Sequence, residues 1–130
     1  LTGYFASHPA ISPDGREIAY HFMDYGGENP HWRLGLIDGE NHSLLNKLDF
    51  PLPISQRKTI WRSNDNLLTM TFASGERSGI LLLSPLDGTF QTFDNLAAGK
   101  ISAFDWSPDS GRLAFSQNFE SNNIVLLGGF

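Results

Sequence analysis

The decapeptide Ile11-Ser-Pro-Asp-Gly-Arg-Glu-Ile-Ala-Tyr20 aligns without a gap with Trp106-Ser-Pro-Asp-Ser-Gly-Arg-Leu-Ala-Phe115. A degenerate copy, Trp61-Arg-Ser-Asn-Asp-Asn-Leu-Leu-Thr-Met70, lies between them and carries apolar or small residues at the same places. The three copies begin 50 and 45 residues apart, which is the spacing of four-stranded propeller blades. The 130 residues therefore predict three repeating units rather than one ordinary domain.

A second motif follows each copy and completes the unit. It reads Leu34-Gly-Leu-Ile-Asp-Gly39, then Ile80-Leu-Leu-Leu-Ser-Pro-Leu-Asp-Gly88, then Asn123-Ile-Val-Leu-Leu127. Each unit is predicted to contain, in order, a strand, a turn, a strand, a variable loop, an apolar strand, an Asp-Gly turn and a last strand. We predict strands over 8–12, 16–22, 32–37, 42–48, 57–62, 66–72, 79–84, 89–93, 101–106, 112–116 and 123–127. Helices are not expected, because 13 glycines and 7 prolines interrupt every helical period.

The Ser-Pro-Asp segments predict tight turns. Proline sets φ at the first corner of a type I turn, aspartate bonds the backbone beyond it, and glycine takes the left-handed residue. We assign this structural role to Pro13, Asp14, Gly15, Pro108, Asp109 and Gly111. In the middle copy Ser63-Asn64-Asp65 replaces Pro-Asp-Gly, so its turn departs from the pattern.

Composition excludes several classes of protein. The chain has 9 basic and 14 acidic residues and a net charge of −5, which argues against direct contact with nucleic acid. The absence of cysteine removes disulfide scaffolds, thiolate zinc sites and cysteine nucleophiles. Apolar runs are far shorter than the roughly 18 residues of a membrane span, so membrane insertion is not expected.

The repeats resemble those of TolB-like, WD-repeat-like β-propellers of bacteria, and the resemblance covers essentially the whole chain. His31-Trp-Arg-Leu-Gly-Leu-Ile37, Ser84-Pro-Leu-Asp-Gly88 and the ending that begins at Phe104-Asp-Trp-Ser-Pro108 are similar to the last blades of large bacterial sensor or regulatory proteins. In those proteins the propeller follows a serine/threonine kinase or a winged-helix DNA-binding domain. The resemblance implies an all-β fold, a β-propeller fragment of three antiparallel four-stranded blades, the last lacking its outer strand. The blades are expected at about 8–48, 57–93 and 101–127.

The function implied by the resemblance is a non-catalytic protein-interaction or ligand-sensing module in a larger bacterial signalling or regulatory protein. The alternative is an accessory propeller that gates substrate access in a hydrolase or peptidase. Gly75-Glu-Arg-Ser-Gly79 resembles a nucleophile elbow only superficially, since it lies in a predicted hairpin loop. We expect no catalysis and no cofactor in this segment, although an enzymatic domain such as a kinase could be attached in the full-length protein.

Histidines raise the question of a metal site. The chain contains four: His8, His21, His31 and His42. A hairpin could bring His21 and His31 together, with Asp24 or Glu28 nearby. No short-spaced pair lies on one element, so histidines without a metal are the favoured interpretation.

The variable loops carry the candidate interaction residues. In a propeller the second-to-third strand loops and the connections between blades open on one face. The aromatic and charged residues expected there are Tyr25, Glu28, Trp32, Phe50, Arg57, Glu76, Arg77, Phe119 and Glu120. This mixture suits contact with a protein or peptide, and the alternative is an ordinary solvated rim.

Three blades cannot close a ring, because each blade of a propeller covers its apolar faces with two neighbours. The outer faces of the first and third blades would stay open. We expect them to be covered by the remaining blades of a parent chain or by a homodimer that completes a six-bladed ring.

Overall fold

A computed structural model of the protein describes residues 6–27, 29–56, 58–94, 100–118 and 122–130. In these residues the chain is all-β, with eleven strands in three antiparallel sheets. The first sheet contains, in spatial order, β1 (Ala6–Ile11), β2 (Glu17–Asp24), β3 (His31–Asp38) and β4 (Leu44–Asp49). The second contains β5 (Ile60–Arg62), β6 (Leu67–Ser74), β7 (Arg77–Leu83) and β8 (Phe90–Asp94). The third contains β9 (Lys100–Trp106), β10 (Arg112–Asn118) and β11 (Asn122–Gly128).

We call these sheets blades 1, 2 and 3. The predicted fold class is confirmed, because sheets of four, four and three antiparallel strands follow one another along the chain. The described residues contain no helix that is long and apolar enough to cross a membrane.

Strand β5 is shorter than expected. The sequence predicted pairing over 57–62, whereas the strand covers only Ile60–Arg62. The connection that precedes β5 pairs with the remaining part of the β6 edge. Ser55 donates its N–H to the carbonyl of Thr71 at 3.0 Å, and Ala73 donates to the carbonyl of Pro53 at 3.0 Å. The connection after β4 is therefore fixed along β6.

The Ser-Pro-Asp turns are held by the expected side-chain bonds. Asp14 accepts hydrogen bonds from the hydroxyl of Ser12 at 2.6 Å and from the N–H of Arg16. Both bonds lower the pKa of the Asp14 carboxyl. Gly15 has a φ of 75°. In blade 3 the left-handed residue is Ser110, with a φ of 59°, and not Gly111. The N–H of Gly111 instead bonds Asp109, so our assignment of the left-handed position to that glycine is corrected.

Alternate side chains of each blade point to opposite faces. We call the face that packs on the following blade the back face, and the opposite one the front face. The first junction buries Ala19, Leu34 and Leu36 from blade 1 with Trp61, Leu68, Met70, Phe72, Leu81 and Leu83 from blade 2. The second buries Ile80 from blade 2 with Ile101, Phe104, Leu113 and Phe115 from blade 3. Each fully buried side chain of this kind contributes about 1.5–3 kcal/mol.

The repeated tryptophans tie each blade to the one before it. Trp61 donates its indole N–H to the carbonyl of Ala10 at 2.9 Å. Trp106 donates to the hydroxyl of Thr69 at 2.7 Å. Ile11 stands at the corresponding place of blade 1 and is 65% exposed, since no described blade precedes it.

A buried arginine distinguishes the second junction from the first. The guanidinium carbon of Arg62 lies 4.8 Å from the ring centroid of Trp106 and 5.3 Å from that of Phe130. The Asp65 carboxylate is 3.8 Å from Nη1 of Arg62. Stacking of a cation on two aromatic rings stabilises its burial there.

Candidate functional site

A cleft of about 560 Å³ opens at one end of blade 1. It is lined by His21, His31, Trp32, Asp49, Phe50, Pro51, Leu52, Pro53 and Ile54. The end of β2, the start of β3 and the connection after β4 meet there, which is the loop end that the sequence predicted as the interaction face.

The floor of the cleft is anchored to both other blades. The hydroxyl of Ser55 donates to that of Thr71 at 2.8 Å, and Ile54 forms an isolated bridge with Phe72. Gln56 donates its amide to the carbonyls of Ile101 at 3.1 Å and Ser102 at 3.2 Å. Because the connection is bonded along its length, the cleft is formed in advance of any ligand.

A series of linked polar and charged side chains forms the outer wall of the cleft. Arg33 donates from Nε to Asp49 Oδ1 at 2.9 Å and from Nη1 to Asp24 Oδ2 at 3.0 Å. The N–H of Gly26 and the guanidinium of Arg33 hold the pKa of the Asp24 carboxyl below its ordinary value. Arg33 is thereby fixed between two carboxylates and orients Asp49 at the cleft.

His31 closes this chain. Its Nδ1 lies 3.1 Å from the carbonyl of Asn29, and its Nε2 lies 3.2 Å from Asp49 Oδ1. Both neighbours are acceptors, so the ring bonds both only as an imidazolium. The carbonyl of Asn29 and the carboxylate of Asp49 raise the pKa of His31.

The inner wall is aromatic and apolar. The ring of Phe50 lies 5.0 Å from that of His21, which is fully buried and bonds the hydroxyl of Thr59 at 2.8 Å. His21 and His31 both line the cleft, but the hairpin register places them on opposite faces of the sheet, and each bonds other protein groups. Among the described residues no three histidine, aspartate or glutamate side chains are placed to hold a metal ion.

The structure separates the predicted interaction residues. Trp32 lines the cleft, and Tyr25 is 60% exposed on the adjoining β2–β3 turn. Glu76 and Arg77 are exposed at the β6–β7 turn of blade 2. Four predicted residues lie outside the described part of the chain: Glu28, Arg57, Phe119 and Glu120.

Asp49 lines the cleft but was not among the residues that the sequence predicted for interaction. Its counterpart in blade 2 is Asp94, since Arg33 pairs with Asp49 and Gly79 with Asp94 at equivalent register positions. Arg77 donates to Asp94 at 2.7 Å. The signal was present in Leu48-Asp49 and Phe93-Asp94, an apolar residue followed by aspartate at the end of each outer strand.

Comparison with known proteins adds support for the fold. The β-propeller domain of the Trilobed protease from Pyrococcus furiosus, described with an open velcro topology, is similar with a TM-score of 0.65 and 12% identity, over 96% of this chain and 39% of that one. Dihydro-heme d1 dehydrogenase NirN in complex with DHE is similar with a TM-score of 0.57 and 17% identity, over 94% of this chain and 25% of that one.

At these identities the likeness shows the fold alone. No protein-family model and no curated protein matches the sequence. The three blades therefore form part of a β-propeller, and the chain spans about two fifths and one quarter of the lengths of these two neighbours.

Proposed function

We propose that this chain is a non-catalytic interaction module whose cleft on blade 1 binds a peptide segment of a partner protein. The observation that carries the proposal is the pairing of an aromatic and apolar wall with a fixed carboxylate in one preformed cleft. Apolar anchoring beside a few oriented polar groups is the usual composition of binding sites.

The chemistry of the cleft indicates what such a peptide carries. Trp32, Phe50 and Leu52 offer apolar surface for an anchor side chain. Arg33 and His31 both contact Oδ1 of Asp49, and no described residue donates to Oδ2. The side chain of Asp49 is 69% exposed, so Oδ2 can accept from a ligand N–H or ammonium group. We infer a peptide with a large apolar residue next to a basic one.

The wider role is part of the same proposal. The repeat motifs support a TolB-like propeller within a larger bacterial signalling or regulatory protein, with peptide binding reported to an attached domain. The alternative role, gating substrate for a hydrolase, gains nothing from the likeness to a protease propeller, because 12% identity shows only a common fold.

Peptide selection tests the proposal. Linear peptides from a phage-displayed library would be enriched on the immobilised full chain, and the Kd of an enriched peptide measured by titration calorimetry. We expect Trp32→Ala and Asp49→Asn to weaken binding by about tenfold or more. The matched control Asp94→Asn, at the equivalent place of blade 2, should leave the Kd unchanged. Equal affinity for all four proteins would refute a binding role for the cleft.

A further inference from the structure

Strand β11 forms the outer edge of blade 3 in the described part of the chain. In blades 1 and 2 a fourth strand, β4 or β8, pairs with the third strand, whereas β11 pairs only with β10 among the described residues. Alternate main-chain N–H and carbonyl groups of β11 therefore point outward from the sheet, where a further strand could bond them.

The other sheet edges of the described residues carry features that oppose pairing with a further strand. Natural edge strands are protected by charges, prolines, bulges or short length. Strand β1 contains Pro9 and a bulge, β5 has three residues, and β4, β8 and β9 each contain an aspartate. The seven residues of β11 include no charge and no proline, and their register with β10 is unbroken. This edge is therefore suited to accept a strand.

The register of β11 identifies its equivalents in the other blades. Leu113 pairs with Leu127 in blade 3 as Leu68 pairs with Leu83 in blade 2. The equivalent aliphatic pairs in blades 1, 2 and 3 are Leu34 with Leu36, Ile80 with Leu82, and Ile124 with Leu126. The first two pairs are buried, whereas the residues of the third are 77% and 58% exposed.

The fourth strands of blades 1 and 2 share a short sequence pattern. It reads Asn46-Lys-Leu-Asp49 in β4 and Gln91-Thr-Phe-Asp94 in β8. In both blades the large apolar residue pairs with the first member of the aliphatic pair, and the amide residue pairs with the second. The same pattern along β11 would place a large apolar residue beside Ile124 and an amide residue beside Leu126.

The chain that follows β11 takes a different course from the chain after β7. In blade 2 the N–H of Ser84 donates to the carbonyl of Thr89 at 2.8 Å and closes the turn into β8. After β11, Gly129 has a φ of 88°, and the ring centroids of Phe130 and Trp106 are 4.8 Å apart. Residue 130 thus packs at the second junction. This placement favours a separate segment over a hairpin that continues from β11.

We propose that the outer edge of β11 binds an extended segment of a partner protein as a fourth, antiparallel strand. The segment carries an asparagine or glutamine, a polar residue, a leucine or phenylalanine, and an aspartate, in that order. Its main chain bonds the edge of β11, and its apolar residue covers Ile124. This surface on blade 3 is separate from the cleft on blade 1.

The capped peptide Thr89–Asp94 is the probe, because it has the proposed pattern and no basic residue. At saturation it should slow hydrogen exchange at alternate amides of β11 in the ¹⁵N-labelled full chain by about tenfold or more. Exchange along β3 and β7 should not change. The cleft variant Asp49→Asn should bind this peptide with the same Kd, so the outcome is independent of peptide binding in the cleft.

Two methylated peptides test whether the main chain makes the contact. One carries methyl groups on the amide nitrogens of Phe90 and Thr92, and the other carries them on those of Gln91 and Phe93. Only one edge of an extended peptide bonds β11, and residues of one alternate set point to that edge. We therefore expect one peptide to bind about tenfold or more weaker and the other to keep the original Kd.

Protein variants locate the edge that binds. Ile124→Lys puts an ammonium group opposite the apolar residue of the bound segment and should weaken binding about tenfold or more. The matched control Leu86→Lys should bind like the unmodified chain. Both residues are exposed, so both variants should keep the melting temperature of the unmodified chain.

Three results would overturn the proposal. The first is unchanged exchange along β11 at saturating peptide, and the second is an equal Kd for the two methylated peptides. The third is a dimer of the unmodified chain, seen by sedimentation velocity, that Ile124→Lys dissociates, because it would assign this edge to a second copy.

Discussion

Equivalent aspartates at the loop ends of blades 1 and 2 make different contacts. In blade 2, Asp94 is bonded by Arg77, which stands at the position of His31 in blade 1. In blade 1, Asp49 contacts both His31 and Arg33, and Gly79 replaces that second cation in blade 2. Blade 1 therefore adds Arg33, which lies two residues further along the strand than the shared position of His31 and Arg77.

The difference shows how a repeat acquires a site without altering its framework. A single arginine uses Asp94 in a local ion pair at 2.7 Å. His31 and Arg33 converge on one oxygen of Asp49, and the proline-containing connection forms an apolar wall beside it. At this end the register of β3 with β4 matches that of β7 with β8, so the side chains and the following connection create the cleft.

Substitution of Phe72, which contacts the loop ends of both blades, should lower the free energy of unfolding most. Phe72 is 1% exposed and forms a backbone bridge with Ile54. The guanidinium carbon of Arg77 lies 5.9 Å from the centroid of its ring. We expect Phe72→Ala to lower the free energy of unfolding by about 3–5 kcal/mol, because it leaves a cavity in the first junction. Urea unfolding followed by tryptophan fluorescence measures this.

The matched control for that substitution is Phe90→Ala, since Phe90 is 51% exposed. Its cost should be about 0.5 kcal/mol or less. Equal costs for the two phenylalanines would show that Phe72 does not support the junction.

The substitution Thr71→Val should have a smaller effect, which distinguishes the loop end of blade 1 from that of blade 2. Thr71→Val removes the hydroxyl that accepts from Ser55 at 2.8 Å. We expect a loss of about 1–2 kcal/mol of stability, because the Ser55 hydroxyl loses its partner. Hydrogen exchange should accelerate at the amides of Ser55 and Ala73 but not along β8. Unchanged exchange at these two amides would mean that the connection is held by other contacts, and Thr92→Val serves as the control.

Proton binding at His31 should give the smallest effect, confined to blade 1. The pKa of His31 is raised in the folded state, so its contribution to stability is present below the ordinary value of about 6.5 and is lost as pH rises through the folded pKa. Blade 2 has an arginine, Arg77, at the position of His31. NMR titration of the imidazole should show a raised pKa that falls in Asp49→Asn, and an unaltered pKa in that variant would contradict the contact.

The fold was predictable because its signals are local. The turn segments and the apolar third strands recur at similar spacing, and each specifies its own backbone conformation. Ser110 shows the limit of that reasoning. Glycine is favoured at positive φ, yet the turn bonds around Asp109 hold a serine there and place Gly111 beyond it.

The cleft was predictable only in part, because it depends on contacts between distant segments. Trp32 was identified from its place beside a variable loop. Asp49 was not, since its role follows from lateral pairing of β3 with β4, which brings Arg33 to it across 16 residues of chain. Arg62 lies beside an expected turn, but its burial against Phe130 depends on the return of the chain after β11.

Indole N–H resonances test the proposed site most directly, because the chain contains three tryptophans. Trp32 lines the cleft, whereas the indoles of Trp61 and Trp106 are bonded inside the two junctions. Titration of the ¹⁵N-labelled chain with an enriched peptide should shift the Trp32 signal and leave the other two in place. Shifts at Trp61 or Trp106 with an unmoved Trp32 signal would contradict binding in the cleft.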